Sequence, residues 1–173
     1  RALDCGVRSI EHGNMIDQQT CELLISKDAF LVPTMSTHEV LPIMGLEAGM
    51  PADMLEKVSF VTEEGKKNFP NAWKQGVKMV FGTDLLGSMH EHQLLEFELR
   101  GAFQKPIDVI RSATIVAAEL FQMSEDLGEI KIGALADIIA VDGNPLDDLG
   151  VLQSPDTFLK LIMKAGRIYK EDC

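Results

Sequence analysis

Residues 7–14, Val-Arg-Ser-Ile-Glu-His-Gly-Asn, predict a short strand that ends in a turn, and the turn carries a histidine. A similar arrangement occurs at residues 77–84, where the apolar run Val-Lys-Met-Val-Phe is followed by Gly-Thr-Asp. Between them, residues 29–32 form a continuous apolar run closed by Pro33, which is typical of a strand buried on both faces of a parallel sheet. Three such strands separated by helical segments predict an α/β fold, because parallel neighbours need crossover connections.

The segments between the strands predict helices. Asp17 is expected to cap the first of them, which residues 26–28 end. We expect the longest helix to be bent or broken near Pro70, because proline lacks a backbone donor. Residues 35–51 are too irregular for one element and are predicted to be a functional loop, and residues 85–92 are predicted to form another loop. The later helices are predicted at about 52–75, 94–103 and 106–122.

The last third of the chain changes character. Residues 128–133, 136–142 and 159–169 predict short strands separated by turns, with little helical pattern between them. We therefore expect two parts, an α/β unit over residues 1–124 and a small β-subdomain over residues 125–173.

Composition excludes several classes of protein. Net charge is −11, from 27 acidic and 16 basic residues, so nucleic acid is not an expected partner. No stretch approaches the roughly 20 apolar residues of a membrane-spanning helix, and no membrane association is expected. Cys5, Cys21 and Cys173 fit neither a metal pattern nor a disulfide ladder and are interpreted as reduced thiols of a cytoplasmic protein.

His12 and Asp84 are the first candidates for chemistry. In parallel α/β folds the reactive groups collect at the carboxyl ends of strands, where both residues are expected to lie. Imidazole and carboxylate are good Zn²⁺ ligands, and an acid beside a metal-bound water can take its proton. Each also has an ordinary alternative, since a lone histidine is often structural and Thr-Asp after a strand often caps a helix. A catalytic zinc usually has three protein ligands, so two do not make a site.

The remaining histidines, His38, His90 and His92, fall in the predicted loops after strands. His90 and His92 would point the same way in an extended segment, although simple solvation is the commoner explanation on a loop. Contact with a substrate is the favoured interpretation for His90, and His38 is a second candidate for it.

Five stretches, taken in order, resemble the amidohydrolase superfamily, in the branch of imidazolonepropionases, Xaa-Pro dipeptidases and related carboxypeptidases. Residues 9–13 resemble its sixth-strand motif and residues 81–84 its eighth-strand motif. Residues 106–118 resemble the helix that follows, with the pattern P-x-x-x-I-R-x-A-T-x-x-A-A. Residues 128–146 and 163–167 resemble the beginning and the last hairpin of its C-terminal β-subdomain.

The resemblance implies that the three strands are the sixth to eighth of a (β/α)₈ TIM barrel. It implies one or two divalent metal ions, with zinc expected, and makes His12 a metal ligand. Asp84 would be both a ligand and the general base or acid. The family's other ligands are a His-x-His pair, a lysine or acid, and another histidine, from the first, fourth and fifth strands, and none is present here. The sequence begins without Met, in what looks like the last turn of a helix, so we expect the C-terminal half of a longer protein.

The implied reaction is hydrolysis of a C–N amide bond in a small peptide-like substrate, as in an Xaa-Pro dipeptidase or carboxypeptidase. The chain by itself is not expected to catalyse it. Hydrolysis of a cyclic amide is one alternative. Another is an inert half-barrel that self-associates, because an open sheet with exposed apolar side chains favours pairing with another copy or with the missing half.

Overall fold

A three-stranded parallel sheet organises the first half of the molecule. The computed structural model describes residues 1–47 and 49–172. The central strand pairs with both neighbours, so that Leu31 lies opposite Ile10 on one side and Met79 on the other. The order along the sheet is β1-β2-β3. These strands are Ser9–Glu11 (β1), Phe30–Val32 (β2) and Lys78–Met79 (β3). The predicted parallel α/β arrangement is therefore observed, with shorter strands than the sequence suggested.

Helices follow each strand. Asp17 caps the first helix as predicted, because its side chain accepts a hydrogen bond of 2.8 Å from the Thr20 amide. A single 3-10 segment, Gly87–His92, replaces the predicted loop after the third strand. The longer helices are Gln18–Ser26 (α1), Met35–Glu47 (α2), Ala52–Lys74 (α3), Leu95–Gly101 (α4), Pro106–Ala113 (α5) and Ile115–Leu120 (α6).

The core forms where α1 and α3 cover the sheet. Leu24, Leu31 and Ala72 are completely buried, and Phe69 and Met79 are almost so. Cys21 belongs to the same cluster, whereas Cys5 is exposed, and neither thiol is in a disulfide. The third cysteine, at position 173, lies outside the described residues.

The prediction of a loop at residues 35–51 is wrong, because α2 occupies most of that range; position 48 lies outside the described residues. Pro42 lies inside the helix and cannot donate to the carbonyl of His38. The one hydroxyl proton of Thr62, on α3, is shared between that carbonyl at 3.1 Å and the carbonyl of Val58 at 2.8 Å. A neighbouring helix thus supplies part of the hydrogen bond that proline removes, which the local sequence does not reveal.

Two other helix predictions need correction. α3 is one helix through Pro70, with Phe69 and Ala72 on either side of it buried in one core, so the predicted break is absent, and the alternative of a bend stays a prediction. The single helix predicted over 106–122 is two helices, α5 and α6, interrupted at Thr114. Near this interruption, the carbonyl of Ser112 on α5 accepts a hydrogen bond of 3.0 Å from the amide of Phe81, which lies just after β3.

The last part of the chain forms an antiparallel sheet of order β4-β5-β6. The strand predicted at residues 128–133 is absent from the described structure, where Ile130 and Ile132 are 87% and 105% exposed. No described strand pairs with that segment, and a lone extended segment leaves its backbone groups to water. The elements here are Ile138–Val141 (β4), Gly150–Gln153 (α7), Pro155–Phe158 (α8), Leu159–Lys164 (β5) and Arg167–Glu171 (β6).

A second apolar cluster joins this sheet region to the barrel-like part. Leu149, Val151 and Leu152, around α7, pack with Val109 of α5 and with Phe97 of α4. The division at residue 124 remains a prediction. Within residues 1–47 and 49–172, no helix has the length and apolar character that crossing a membrane requires.

We expect Leu31→Ala to lower the free energy of unfolding by about 2–5 kcal/mol, because it removes a completely buried side chain from the central strand. Leu86 is 70% exposed, so Leu86→Ala should change it by no more than about 0.5 kcal/mol. Urea denaturation followed by circular dichroism measures both. Equal effects of the two substitutions would contradict the central position of β2 in the core.

Candidate metal and active site

The carboxyl ends of the three parallel strands bring His12, Thr34 and Asp84 together. His12 follows β1, Thr34 follows β2, and Asp84 lies five residues beyond β3. The distance from His12 Nε2 to Asp84 Oδ2 is 3.8 Å. His12 Nδ1 and Thr34 Oγ1 are joined by a hydrogen bond of 2.7 Å. Residues separated by more than seventy positions therefore meet because parallel strands end at one edge of the sheet.

All three residues have left-handed backbone conformations. Their φ angles are 65° at His12, 48° at Thr34 and 52° at Asp84. A β-branched residue such as threonine rarely adopts this region, and each such residue costs on the order of 1–3 kcal/mol. Strain of this kind persists only when the surroundings hold the backbone, and it clusters at functional sites.

The third strand closes on the second at Gly82. A Cβ atom at that position would lie 2.6 Å from Val32 Cγ1, closer than carbon atoms approach one another. Only glycine lets the backbone leading to Asp84 pass this close to the end of β2. Close packing against Val32 therefore explains why the first residue of the Gly-Thr-Asp motif is glycine.

The hydrogen bond to Thr34 orients the His12 ring. The hydroxyl can donate to a bare Nδ1 or accept from Nδ1–H, so this bond holds the ring in either tautomer, with Nε2 facing the carboxylate of Asp84. The two side chains are 48% and 52% exposed, so both remain accessible to a ligand. Thr34 was not among the residues singled out from the sequence; its only signal was its position directly after a buried strand.

His38 approaches this pair from α2. Its ring centroid lies 5.8 Å from that of His12, in an edge-to-face arrangement. Burial, and then the charge of His12, lower the pKa of His38, which favours its neutral form. Its Nε2 atom is buried without a hydrogen-bond partner among the described residues. One of the two histidines predicted to contact a substrate is therefore next to the strand ends.

The other predicted substrate contact, His90, lies on the 3-10 segment that begins three residues after Asp84, and His92 is on the same segment. Both residues are exposed. Neither makes a side-chain hydrogen bond or ion pair within the part of the chain that the structure describes. The role of His90 stays a prediction.

The pair His12 and Asp84 fits part of a metal centre. Zinc lies about 2.0–2.2 Å from nitrogen and oxygen ligands, so one ion can contact both atoms at their 3.8 Å separation. Among residues 1–47 and 49–172, no three His, Cys, Asp or Glu side chains form a complete ligand group. A catalytic ion would need at least one further protein ligand.

Residues 4–168 match the amidohydrolase family. The chain belongs to the amidohydrolase family. A crystal structure of a prolidase complexed with N-methylphosphonate-L-proline superimposes with a TM-score of 0.93 and is 41% identical, covering 98% of this chain and 42% of that one. A Xaa-Pro dipeptidase with bound methionine in its active site superimposes with a TM-score of 0.87 and is 32% identical, covering 98% of this chain and 41% of that one. Ochratoxinase of Aspergillus niger is 28% identical over 170 residues, which are 98% of this chain and 35% of that protein.

This amidohydrolase chain therefore spans about two fifths of the length of its relatives and corresponds to their C-terminal part. The fold is that of the C-terminal portion of the TIM barrel with its small β-sheet, as the resemblance implied. The superfamily usually binds divalent metals, which agrees in general terms with the predicted cofactor.

We expect Gly82→Ala to lower the free energy of unfolding by about 1–3 kcal/mol, because the new methyl group overlaps Val32 and must push the two strand ends apart. In a Val32→Ala background the same substitution should cost less than half as much, since the obstructing methyl group is gone. A double-mutant cycle by chemical denaturation measures this coupling. Additive effects would contradict the close approach at the site.

Proposed function

We propose that this chain forms the C-terminal part of a metal-dependent hydrolase that cleaves C–N amide bonds in small peptide-like substrates. The observation that carries the proposal is the meeting of His12 Nε2 and Asp84 Oδ2, 3.8 Å apart, at the carboxyl edge of the parallel sheet. The pair occupies the edge at which TIM-barrel enzymes place their active sites.

In this proposal His12 and Asp84 bind the cation, and the other ligands come from barrel strands outside this chain. A bound divalent ion, with zinc expected, polarises an amide carbonyl and lowers the pKa of water. Whether one or two ions bind depends on those other strands. The Nδ1 bond to Thr34 orients the His12 ring so that Nε2, on the Asp84 side, can act as the ligand.

Asp84 is proposed to move the proton. Its carboxylate accepts a proton from the attacking water as the new C–O bond forms, and gives that proton to the departing nitrogen as the C–N bond breaks. Its side chain is about half exposed and makes no hydrogen bond within the described residues, so an oxygen is free for this exchange.

The substrate proposed is an Xaa-Pro dipeptide. Two solved relatives are a prolidase and a Xaa-Pro dipeptidase, which are 41% and 32% identical over 98% of this chain. His38 and His90 are proposed to contact the substrate, His38 as a neutral imidazole beside the ligand pair. Hydrolysis of a cyclic amide is the alternative, but neither of these two relatives favours it.

The test joins this chain to the portion of the prolidase that precedes the matched region, which restores the first five strands of the barrel. We expect the purified chimera to contain divalent metal by elemental analysis and to release proline from Xaa-Pro dipeptides. A folded chimera that contains no metal and cleaves no amide contradicts the proposal. Cleavage of a cyclic amide with no release of proline would favour the alternative substrate.

Asp84→Asn in the chimera should lower kcat by about 10²–10⁴-fold, since the amide cannot accept the proton. Asp156→Asn is the matched control, because Asp156 is exposed on α8 in the C-terminal region, and it should leave kcat unchanged. Steady-state release of proline measures both. Full activity in Asp84→Asn would remove Asp84 from the proton-transfer role.

We also propose that the isolated chain associates with itself, or with the rest of a barrel when it is present. Among the described strands β1 and β3 each pair on one side only, so backbone groups on their outer edges remain available. Sedimentation velocity should therefore detect a dimer or larger assembly. A single monomeric species at micromolar concentration would contradict self-association.

A further inference from the structure

Two charged side chains of α4 are completely buried beneath the strand ends. Glu96 and Arg100 are both 0% exposed, one helical turn apart. Burial raises the pKa of Glu96 and lowers the pKa of Arg100 to about 10. Burying two charges costs free energy even when the charges are opposite, and a pair of apolar side chains of similar volume often makes the fold equally stable. Their contacts therefore need an explanation other than core filling.

Glu96 holds the segment that follows β2. Its Oε2 atom accepts two hydrogen bonds of 2.8 Å from Ser36, one from the backbone amide and one from the hydroxyl. Ser36 is in the first turn of α2, where backbone amides lack helical partners. Thr34 is two residues before it and His38 two residues after it. The carboxylate thus fixes the backbone between the residue that contacts His12 and the residue that packs beside it.

Arg100 holds the segment that follows β3. Its guanidinium donates to the carbonyl of Val80 at 3.2 Å and to the side chain of Gln104. Val80 is four residues before Asp84. Through these two residues α4 holds the first turn of α2, just after Thr34, and the backbone after β3 that leads to Asp84; Thr34 and Asp84 are two of the left-handed residues of the site.

We propose that Glu96 is a positioning residue, which holds Thr34 so that its hydroxyl stays on His12 Nδ1 and the ring keeps Nε2 turned towards Asp84. The inference rests on the proposed function only in that His12 Nε2 binds a metal ion. The positioning of Thr34 and the His12 ring by Glu96 does not depend on any reaction. Thr34 keeps an unfavourable φ of 48°, and the bonds from Ser36 to Glu96 oppose its relaxation. Fixing the ring orientation of a metal-ligating histidine is a usual effect of such outer contacts.

The test reads the His12 ring directly. The ¹⁵N-histidine-labelled chain is studied by NMR at about pH 8.5, where imidazoles are neutral, in the presence of a chelator. His12 is assigned from the signals missing in His12→Gln. Two variants weaken the contact: Glu96→Gln removes the charge, and Ser36→Ala removes only the hydroxyl bond, so the second is expected to fold even if the first does not. Lys78→Met is the control, since Lys78 pairs with Asp28 and Glu119 at the opposite end of the sheet.

The expected result is the same pair of His12 ring ¹⁵N shifts in the original chain and in Lys78→Met. In Ser36→Ala and Glu96→Gln the Nδ1 signal should shift, because Nδ1 loses its hydrogen bond to the Thr34 hydroxyl. An unchanged His12 pattern in Ser36→Ala, whether or not that variant is less stable, overturns the inference and leaves Glu96 as a helix cap.

The same variants in the chimera separate the inference from the proposed function. Loss of about 10–100-fold in kcat is expected for Ser36→Ala, with a smaller change in KM. A chimera that cleaves no amide, together with a shifted Nδ1 signal in the variants, contradicts the hydrolase but supports the positioning role. Active chimeras with unchanged kcat and an unchanged ring pattern support the hydrolase and overturn the positioning role.

Discussion

Parallel backbone pairing of β2 with β1 and β3 is the constraint on which the structure depends. The central strand is buried on both faces, and its hydrogen bonds fix the register of its neighbours. Because parallel strands share one carboxyl edge, the turns after all three must lie together there. The crossover helices cover the sheet and leave that edge open, which is why the side chains of His12 and Asp84 remain accessible.

The site is held by unfavourable local geometry that the packing enforces. Three residues with positive φ form its rim, and each would relax if its segment were free. Gly82 allows the close approach of two strand ends, and the buried charges of α4 bind the backbone on either side. The strained backbone at the strand ends thus destabilises the fold, and burial of the apolar core below them offsets that cost. This arrangement is common at functional sites.

Membership of the amidohydrolase family relates this edge to a larger active site. The chain covers about two fifths of its relatives, and the two ligands it offers are fewer than a catalytic ion needs. A chain of this extent nevertheless has a packed core of its own around α1, α3 and the sheet. The same open edges that complete a barrel in relatives give this chain its expected tendency to associate.

The sequence by itself determined the order of strands and helices, the family, and the candidates His12 and Asp84, because apolar runs and the turns that end them are local signals. It did not predict α2 or the exposed segment 128–133, since a hydrogen bond from α3 and the pairing of strands are not local properties. Only the tertiary structure decided that Thr34 orients His12 and that α4 braces both strand ends. Those contacts join residues 20 to 60 positions apart, and folding brings them within hydrogen-bonding distance.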